Sequence, residues 1–443
     1  MISKYATKGD QQNLSIKYEN VYSINGEICY LTCKKEDNPP YVNKFTNQYP
    51  FRPKMVLFDS EKDIETYLNS LSNKQEIQLA ALGDNLWYGN IGHALWDGLY
   101  PLYIALVKFG YIDEDFVVLF GDFQNKKTLA YEPTVRFTGY DILDYFKLDK
   151  DVVIHFKTLV AGTGSTGNRV INKEYTLFGE KEYSALSHFK KRLLSRYNLN
   201  VDRPINKKLK AIVIKNKRYS DEEVDHIKNV IHYFKHHIDI KYIDWYHEYS
   251  SFEEQMKELI DVDIHITGPG TGMMYMPFLK KGAVNINLGY IEYIQTNSAR
   301  PNIKIEGLEN DKLIIPGWME QSVCAGADYV NTLYYDRFNY NNIEFESLKL
   351  IIEKAIQKVN IIEKNNWNID ALVFKEYCKR CKNPEEICQY LTSIAFFIEL
   401  FVNEHPKTLE TGIVDIDLLR TIKDEFLFNR NYEIKTNNAN ENI

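Results

Sequence analysis

Several large classes of protein are excluded by what this sequence lacks. Six cysteines among 443 residues are too few for a disulfide-stapled scaffold. Long apolar runs are missing: the longest, Leu391 to Val402, is interrupted by Thr392, Ser393 and Glu399 and is too short to span a bilayer. The opening MISKYATKGDQQNLS has no apolar core of the kind a signal peptide needs. Charge of one sign is also absent, since 54 basic against 61 acidic side chains leave a net −7, which gives no global pull toward nucleic acid or an anionic membrane. No internal repeat is present. The expectation is a soluble, cytoplasmic enzyme with no membrane span and no nucleic-acid partner.

Two clusters of metal-type residues are better read as structural. Cys378, Cys381 and Cys388 form a C-x2-C-x6-C group without a fourth ligand at suitable spacing, and a helix through Phe374 to Arg380 accounts for the close pair. His232, His236 and His237 have no carboxylate in step with them and are expected on the solvent face of a helix.

What is present is an alternation of strand and helix patterns long enough for two α/β domains. The expected N-terminal domain, 1–197, begins with a hairpin over Leu14 to Lys34, turned at Asn25-Gly26. Strands at Met55 to Phe58, Glu76 to Leu82, Phe116 to Phe120, Tyr140 to Phe146 and Val152 to Val160 follow, with helices at Glu61 to Leu71 and Lys181 to Tyr197. Residues 198–208 read as a linker. In the second domain, 209–335, strands at Lys210 to Ile214, Ile238 to Ile243 and Val262 to Thr267 alternate with helices at Glu222 to Phe234 and Phe252 to Ile260. That order implies a parallel, doubly wound sheet with ligands at the carboxyl ends of its strands. A helical region, 336–434, contains a periodic helix at Phe345 to Val359, and a polar tail, 435–443, is expected to be disordered.

Two stretches carry chemistry. In the first, the strand ending at Thr267 runs into Gly268-Pro269-Gly270-Thr271-Gly272 and then into a helix expected over Met273 to Leu279. Small residues at a sheet edge and a helix start suit a phosphate or diphosphate, because first-turn amides lack intrahelical partners. The same turn is also common as plain connection in α/β domains. Lys215, Lys217 and Arg218 follow the first strand of that sheet, on the same edge. In the second stretch, Asn90, His93 and Asp97 recur one turn apart on a helix that is otherwise almost wholly apolar through Val107. A His and an Asp so placed either form a buried structural pair or lie at the mouth of a cleft. The formal GxGxxG at Gly162 to Gly167 is discounted, since no amphipathic helix begins there.

Ser251, Glu254 and Gln255, a buried strand, the Gly-x-Gly turn, Phe278-Leu279 and Gly282-Ala283-Val284 together resemble the closing motif of glycosyltransferase family 61. N-x-x-H-x-x-x-D at 90–97, followed by Pro101, resembles that family's other recurring motif. The chain departs from the pattern at Pro269, where the family has His, and at Tyr275, where it has Asn.

The resemblance implies a GT-B-like α/β fold with two Rossmann-like domains facing a cleft, plus a C-terminal helical appendage. It also implies an inverting, metal-independent glycosyltransferase with no cofactor, moving sugar from a nucleotide sugar, expected to be UDP-linked, to a hydroxyl of a glycan or glycoprotein acceptor. His93 is then the base, held by Asp97, or Asp97 acts directly. Asn90, Lys215, Arg218, Gln255, Gly268, Gly270, Thr271, Gly272 and Met273 are the expected substrate contacts, with Arg218 on the diphosphate.

Three Asp-x-Asp triplets, Asp113 to Asp115, Asp261 to Asp263 and Asp415 to Asp417, lie at the wrong ends of their elements to hold a metal. Two alternatives stay open. One is a non-catalytic glycan-binding or scaffold protein derived from the same fold; the other is transfer of a different phosphate-bearing group.

Overall fold

A computed structural model of the chain describes residues 2–8, 14–42, 51–83, 88–121, 128–162, 185–268, 270–293, 312–315, 329–335, 342–361 and 413–415. The chain divides into two compact units, the first formed by Met1–Val201 with Tyr249–Glu258, the second by Asp202–Glu248 with Leu259–Ile443. The cysteine group at 378–388, the GxGxxG stretch beyond Gly162, and the rest of the region beyond residue 361 lie outside the described residues, apart from 413–415, where a strand paired with the second unit's sheet corrects the wholly helical expectation for 336–434. Among the described residues no helix is long and apolar enough to cross a membrane.

The first unit is built on one sheet. Its strands are β1 (Lys4–Lys8), β2 (Ser15–Ile24), β3 (Glu27–Thr32), β4 (Lys54–Leu57), β5 (Lys74–Gly83), β6 (Val117–Phe120), β7 (Leu143–Asp144) and β8 (Val153–Ala161). They lie in the order β4-β3-β2-β8-β5-β6-β7, with β1 added beside β2. β2 and β3 form the expected hairpin, turned on Asn25 and Gly26 at φ 54° and 78°. Both φ values are positive, as a type I′ turn requires.

Where a Rossmann-like domain is expected, this unit holds a mixed sheet in which parallel pairs predominate. β8, β5, β6 and β7 are parallel neighbours, and so are β3 and β4; β2, set between the two groups, runs antiparallel to β1, β3 and β8. A two-residue hairpin forces antiparallel neighbours, and that half of the sheet grows from one. The strand expected over Tyr140 to Phe146 shrinks to β7, because a 3₁₀ turn, Tyr145–Lys147, follows at once. Asp144 starts that turn by accepting the Phe146 N–H.

Helix α1 (Glu61–Ser70) lies between β4 and β5. After β5, α2 (Ile91–His93) runs into a π-helical turn, Ala94–Leu99, and on into α3 (Tyr100–Lys108). Pro101 accounts for the wide turn: it has no N–H, and its ring would strike the carbonyl four residues back. The described side chains of α3 are all buried, as its unbroken apolar composition requires. α4 (Tyr131–Thr138) and α5 (Ala185–Ser195) pack nearby, where Phe189 of α5 meets Trp96, Tyr100 and Phe137 with ring centroids 4.6–5.4 Å apart.

The second unit holds β9 (Lys210–Ile214), α6 (Asp221–Phe234), β10 (Asp239–Ile243), α7 (Trp245–Glu248), β11 (Ile264–Thr267), β12 (Val284–Asn287), β15 (Asn331–Tyr335), α9 (Phe345–Lys358) and β16 (Ile413–Asp415). Between α7 and β11 comes α8 (Phe252–Leu259), most of which belongs to the first unit. A separate ribbon pairs β13 (Tyr290–Tyr293) with β14 (Lys312–Ile315).

The main sheet runs β10-β9-β11-β12-β15-β16 and is parallel except for β16. The α/β fold and the parallel, Rossmann-like core expected for this half are therefore present. On one face Ala211, Val213, Ile264, Ile266, Val284, Ile286 and Leu333 pack with residues of α6 and α9, including Ile227, Val230, Ile351 and Ile352. Ser220 starts α6 with a capping box, its hydroxyl taking the Glu223 N–H while Glu223 takes the Ser220 N–H. His232, His236 and His237 are exposed, as expected.

Candidate functional site

Strand order creates a switch point in the second unit. β9 comes first in the chain; β10 lies on one side of it and β11 on the other. Connections that leave a strand in opposite directions open a crevice at its carboxyl end, and ligands of open α/β sheets bind there. Two segments border this crevice: 215–219 after β9, and 268–272 after β11.

Three glycines let these segments approach each other. A Cβ on Gly268 would lie 2.7 Å from Oη of Tyr219 and 3.0 Å from Nδ2 of Asn216. One on Gly270, whose φ is 119°, would lie 3.0 Å from Nη1 of Arg218. One on Gly272 would lie 2.7 Å from Oγ1 of Thr267 and 3.0 Å from Cγ2 of Ile214. The turn is thus lined by a guanidinium, an amide and a phenol at the places a side chain would otherwise fill. Arg218 is exposed, and its backbone N–H donates to Oδ1 of Asn216 at 3.0 Å, which sets the loop after β9.

Not every expected contact joins this cradle. Lys215 turns away to Asp244, with Nζ 2.7 Å from Oδ2. Met273 is a correction: it is fully buried, its N–H donates to the Gly270 carbonyl at 3.0 Å, and its sulfur takes Nδ2 of Asn285. The helix expected over Met273 to Leu279 is a 3₁₀ segment, Met273–Phe278, in which the N–H groups of Met274 and Tyr275 bond Thr271 and Gly272. Pro277 explains the change, since in an α-helix its ring would oppose the Met273 carbonyl. Anion contacts from the backbone therefore fall to the amides around Gly270 and Thr271, without an α-helix dipole behind them. Pro269 lies outside the described residues.

The S-x-x-E part of the closing motif is a helix start. Ser251 Oγ accepts the Glu254 N–H at 3.2 Å, while Glu254 accepts the N–H groups of Ser250 and Ser251 at 2.8 and 3.2 Å. Gln255 is buried in the first unit at 2% exposure.

A polar layer missed by sequence reading lies under the cradle. His265 of β11 and Asn285 of β12 are register partners, with Nδ1 2.8 Å from Oδ1. Thr267, one pleat further, donates to the Gly268 carbonyl at 3.0 Å. Burial lowers the His265 pKa from 6.5 to about 4, so the ring is neutral. Given Asn285 Oδ1 as its acceptor, Nδ1 carries the proton, and Nε2 has no partner among the described residues. The signal for this layer was the repeat of polar residues at every second position of two apolar strands.

In the first unit, Asn90 is exposed and caps α2, its Oδ1 taking the Gly92 N–H at 2.9 Å. It is the helix start, where an aligned helical face had been expected. His93 is half-buried at the end of α2, and Asp97 falls four residues on, inside the π-helical turn. Such turns recur at functional sites.

The carboxylates of two Asp-x-Asp triplets are already engaged. Asp115 pairs with Arg192 and Arg196, Asp113 faces His188 at 3.4 Å, Asp261 pairs with Lys210 and Arg203, and Asp263 with Lys280. The sequence matches no family model and no curated protein.

Proposed function

We propose that the chain is a glycosyltransferase of the GT-B type that uses a nucleotide sugar, UDP-linked, and transfers the sugar with inversion to a hydroxyl of a glycan or glycoprotein. The observation that carries the reading is the glycine-lined crevice at the β9–β11 switch point, with Arg218 over Gly270. A diphosphate leaving group needs fixed positive potential that strengthens as charge develops. Arg218 supplies a forked, permanently charged donor, and the backbone amides of the turn supply the rest. The likeness of two motifs to glycosyltransferase family 61 selects sugar transfer among the chemistries such a crevice serves.

His93 would take the proton of the acceptor hydroxyl, with Asp97 as the competing base. A half-buried imidazole at the end of α2 suits that task, since it is neither sealed in the core nor fully exposed. Asp115, Asp261 and Asp263 are held in ion pairs, and in this reading Arg218 and the turn amides carry the charge of the diphosphate.

The test is binding and turnover. Purified protein is titrated with UDP and pyrophosphate in EDTA, then incubated with a panel of nucleotide sugars and assayed for released nucleotide. Metal-independent UDP binding that is lost in Arg218→Ala, with slow hydrolysis of one sugar nucleotide, is expected. A folded protein that binds neither probe sinks the proposal.

A non-catalytic descendant is the second reading. It is favoured by Tyr275, which is buried against Trp245 at a ring distance of 5.6 Å where the family pattern has Asn. Under it, UDP or glycan would bind without any turnover.

A further inference from the structure

A second set of groups at the same sheet edge is used by neither the glycine cradle nor the proposed transfer chemistry. Asp244 is the first residue past β10, the strand that flanks β9 on the side away from β11. Its Oδ2 accepts from Nζ of Lys215 at 2.7 Å and from Nδ1 of His247 at 2.8 Å. Its Oδ1 accepts only the longer bond from the Tyr246 N–H, at 3.2 Å, among the described residues. The Asp244 N–H is tied in turn to Oε1 of Glu248 at 2.7 Å. Burial alone would raise the Asp244 carboxyl, but the hydrogen bonds from Lys215 and His247 outweigh it and bring it to about 2. The carboxylate is thus ionised and braced, and a carboxylate oxygen with one long bond retains acceptor capacity.

The next two residues point opposite ways. Trp245 is buried at 7% exposure, its ring 5.6 Å from that of Tyr275, and anchors the turn to the 3₁₀ segment. Tyr246 is 87% exposed, with its ring 5.3 Å from that of His247. A short turn braced from below therefore presents a bare aromatic ring beside a fixed carboxylate. When phosphates occupy the switch point of a doubly wound sheet, the nucleoside extends over the neighbouring strand, and an acidic residue there accepts the ribose hydroxyls. An exposed aromatic ring is a general stacking partner for a nucleobase.

We infer that Asp244 and Tyr246 form a ribonucleoside subsite, in which Oδ1 of Asp244 accepts from the ribose hydroxyls and the Tyr246 ring stacks on the base. The inference rests on the reading of the β9–β11 crevice as a diphosphate site. It also gives Lys215 a different role from direct phosphate contact: the lysine orients the carboxylate. A purely structural duty for Asp244, as cap of the four-residue α7, makes a different prediction about ligands.

The full-length protein is titrated calorimetrically with three probes: UDP, 2′-deoxy-UDP and pyrophosphate. Wild type should prefer UDP over the deoxy compound by about tenfold. Asp244→Asn, which keeps a good capping residue, should erase that preference and leave pyrophosphate binding unchanged. Tyr246→Ala, which touches no core, should weaken UDP and 2′-deoxy-UDP alike by about tenfold and also spare pyrophosphate. If pyrophosphate binds but the two nucleotides bind equally to wild type, or the variants bind UDP as wild type does, the subsite is refuted and the diphosphate reading stands. If wild type binds neither pyrophosphate nor UDP, both fall together.

Discussion

Nζ of Lys280 lies 2.6 Å from Oδ1 of Asp263 in the second unit, with the two side chains at 1% and 0% exposure. The ammonium also donates to the carbonyls of Pro204 and Asp261, each at 3.1 Å. The carboxylate also receives the Lys210 N–H at 2.8 Å and both the backbone and side-chain N–H groups of Asn206, at 3.2 and 2.9 Å. A buried pair is tolerable only when its remaining donors and acceptors are satisfied, and here they are. Lys280→Met strands the carboxylate and should lower the unfolding free energy by about 3–5 kcal/mol in urea titrations. Adding Asp263→Leu should recover only part of that loss, because the Asn206 and Lys210 N–H groups then lack an acceptor.

The glycine cradle predicts loss of anion binding without loss of fold. Gly268→Ala sets a methyl 2.7 Å from Oη of Tyr219, and Gly270→Ala adds backbone strain at φ 119° to a 3.0 Å approach to Arg218. Each should weaken pyrophosphate binding at least about tenfold, with the far-ultraviolet circular dichroism unchanged. Unaltered affinity in Gly270→Ala would show that the ligand sits elsewhere.

Turnover should separate from binding at His93. General-base catalysis contributes roughly 10²–10⁴ in rate, so His93→Ala should cut kcat by that order while UDP affinity is retained. Asp97→Asn with a comparable drop, set beside an active His93→Ala, would instead make Asp97 the base.

His265 predicts an acid-labile second unit. Above pH 6.5 the ring is neutral whether folded or unfolded. As pH falls, the unfolded chain takes up the proton near 6.5 and the folded chain only near 4, so stability declines across that window by about 3 kcal/mol. Asp244 acts lower: its contribution is present above 3.8 and is lost as pH falls toward about 2. Urea midpoints measured from pH 7 to pH 4 should therefore drop less steeply in His265→Gln than in wild type. Parallel curves would remove His265 as the cause.

In the second unit β9, β10 and β11 were legible because each is a short apolar run closed by a turn signal. The β9 range agrees with expectation residue for residue, and α6 starts one residue earlier than expected, at its capping box, and ends where expected. What escaped notice was set by tertiary context. β1 is a mostly exposed KYATK stretch, and only pairing with β2 makes it a strand. The π-helical turn and the 3₁₀ segment follow from single prolines in otherwise helical patterns, which fix where a helix deforms but not which form results. In the site, alternation could say that His265 and Asn285 share a face, not that the face is interior. Asp244 is one acidic residue at a strand end, with no spacing to mark it; only the order β10-β9-β11 gives it meaning.

The passage of the chain between the units has a practical corollary. It crosses from one to the other after Val201, after Glu248 and again after Glu258. A protease that nicks the 198–208 connection would leave residues 249–258 of the C-terminal fragment packed in the first unit, so the fragments should stay together on gel filtration and part only under denaturant. For the same reason no pair of contiguous expression fragments reproduces the two halves, and the Tyr249–Glu258 insert must travel with residues far behind it in sequence.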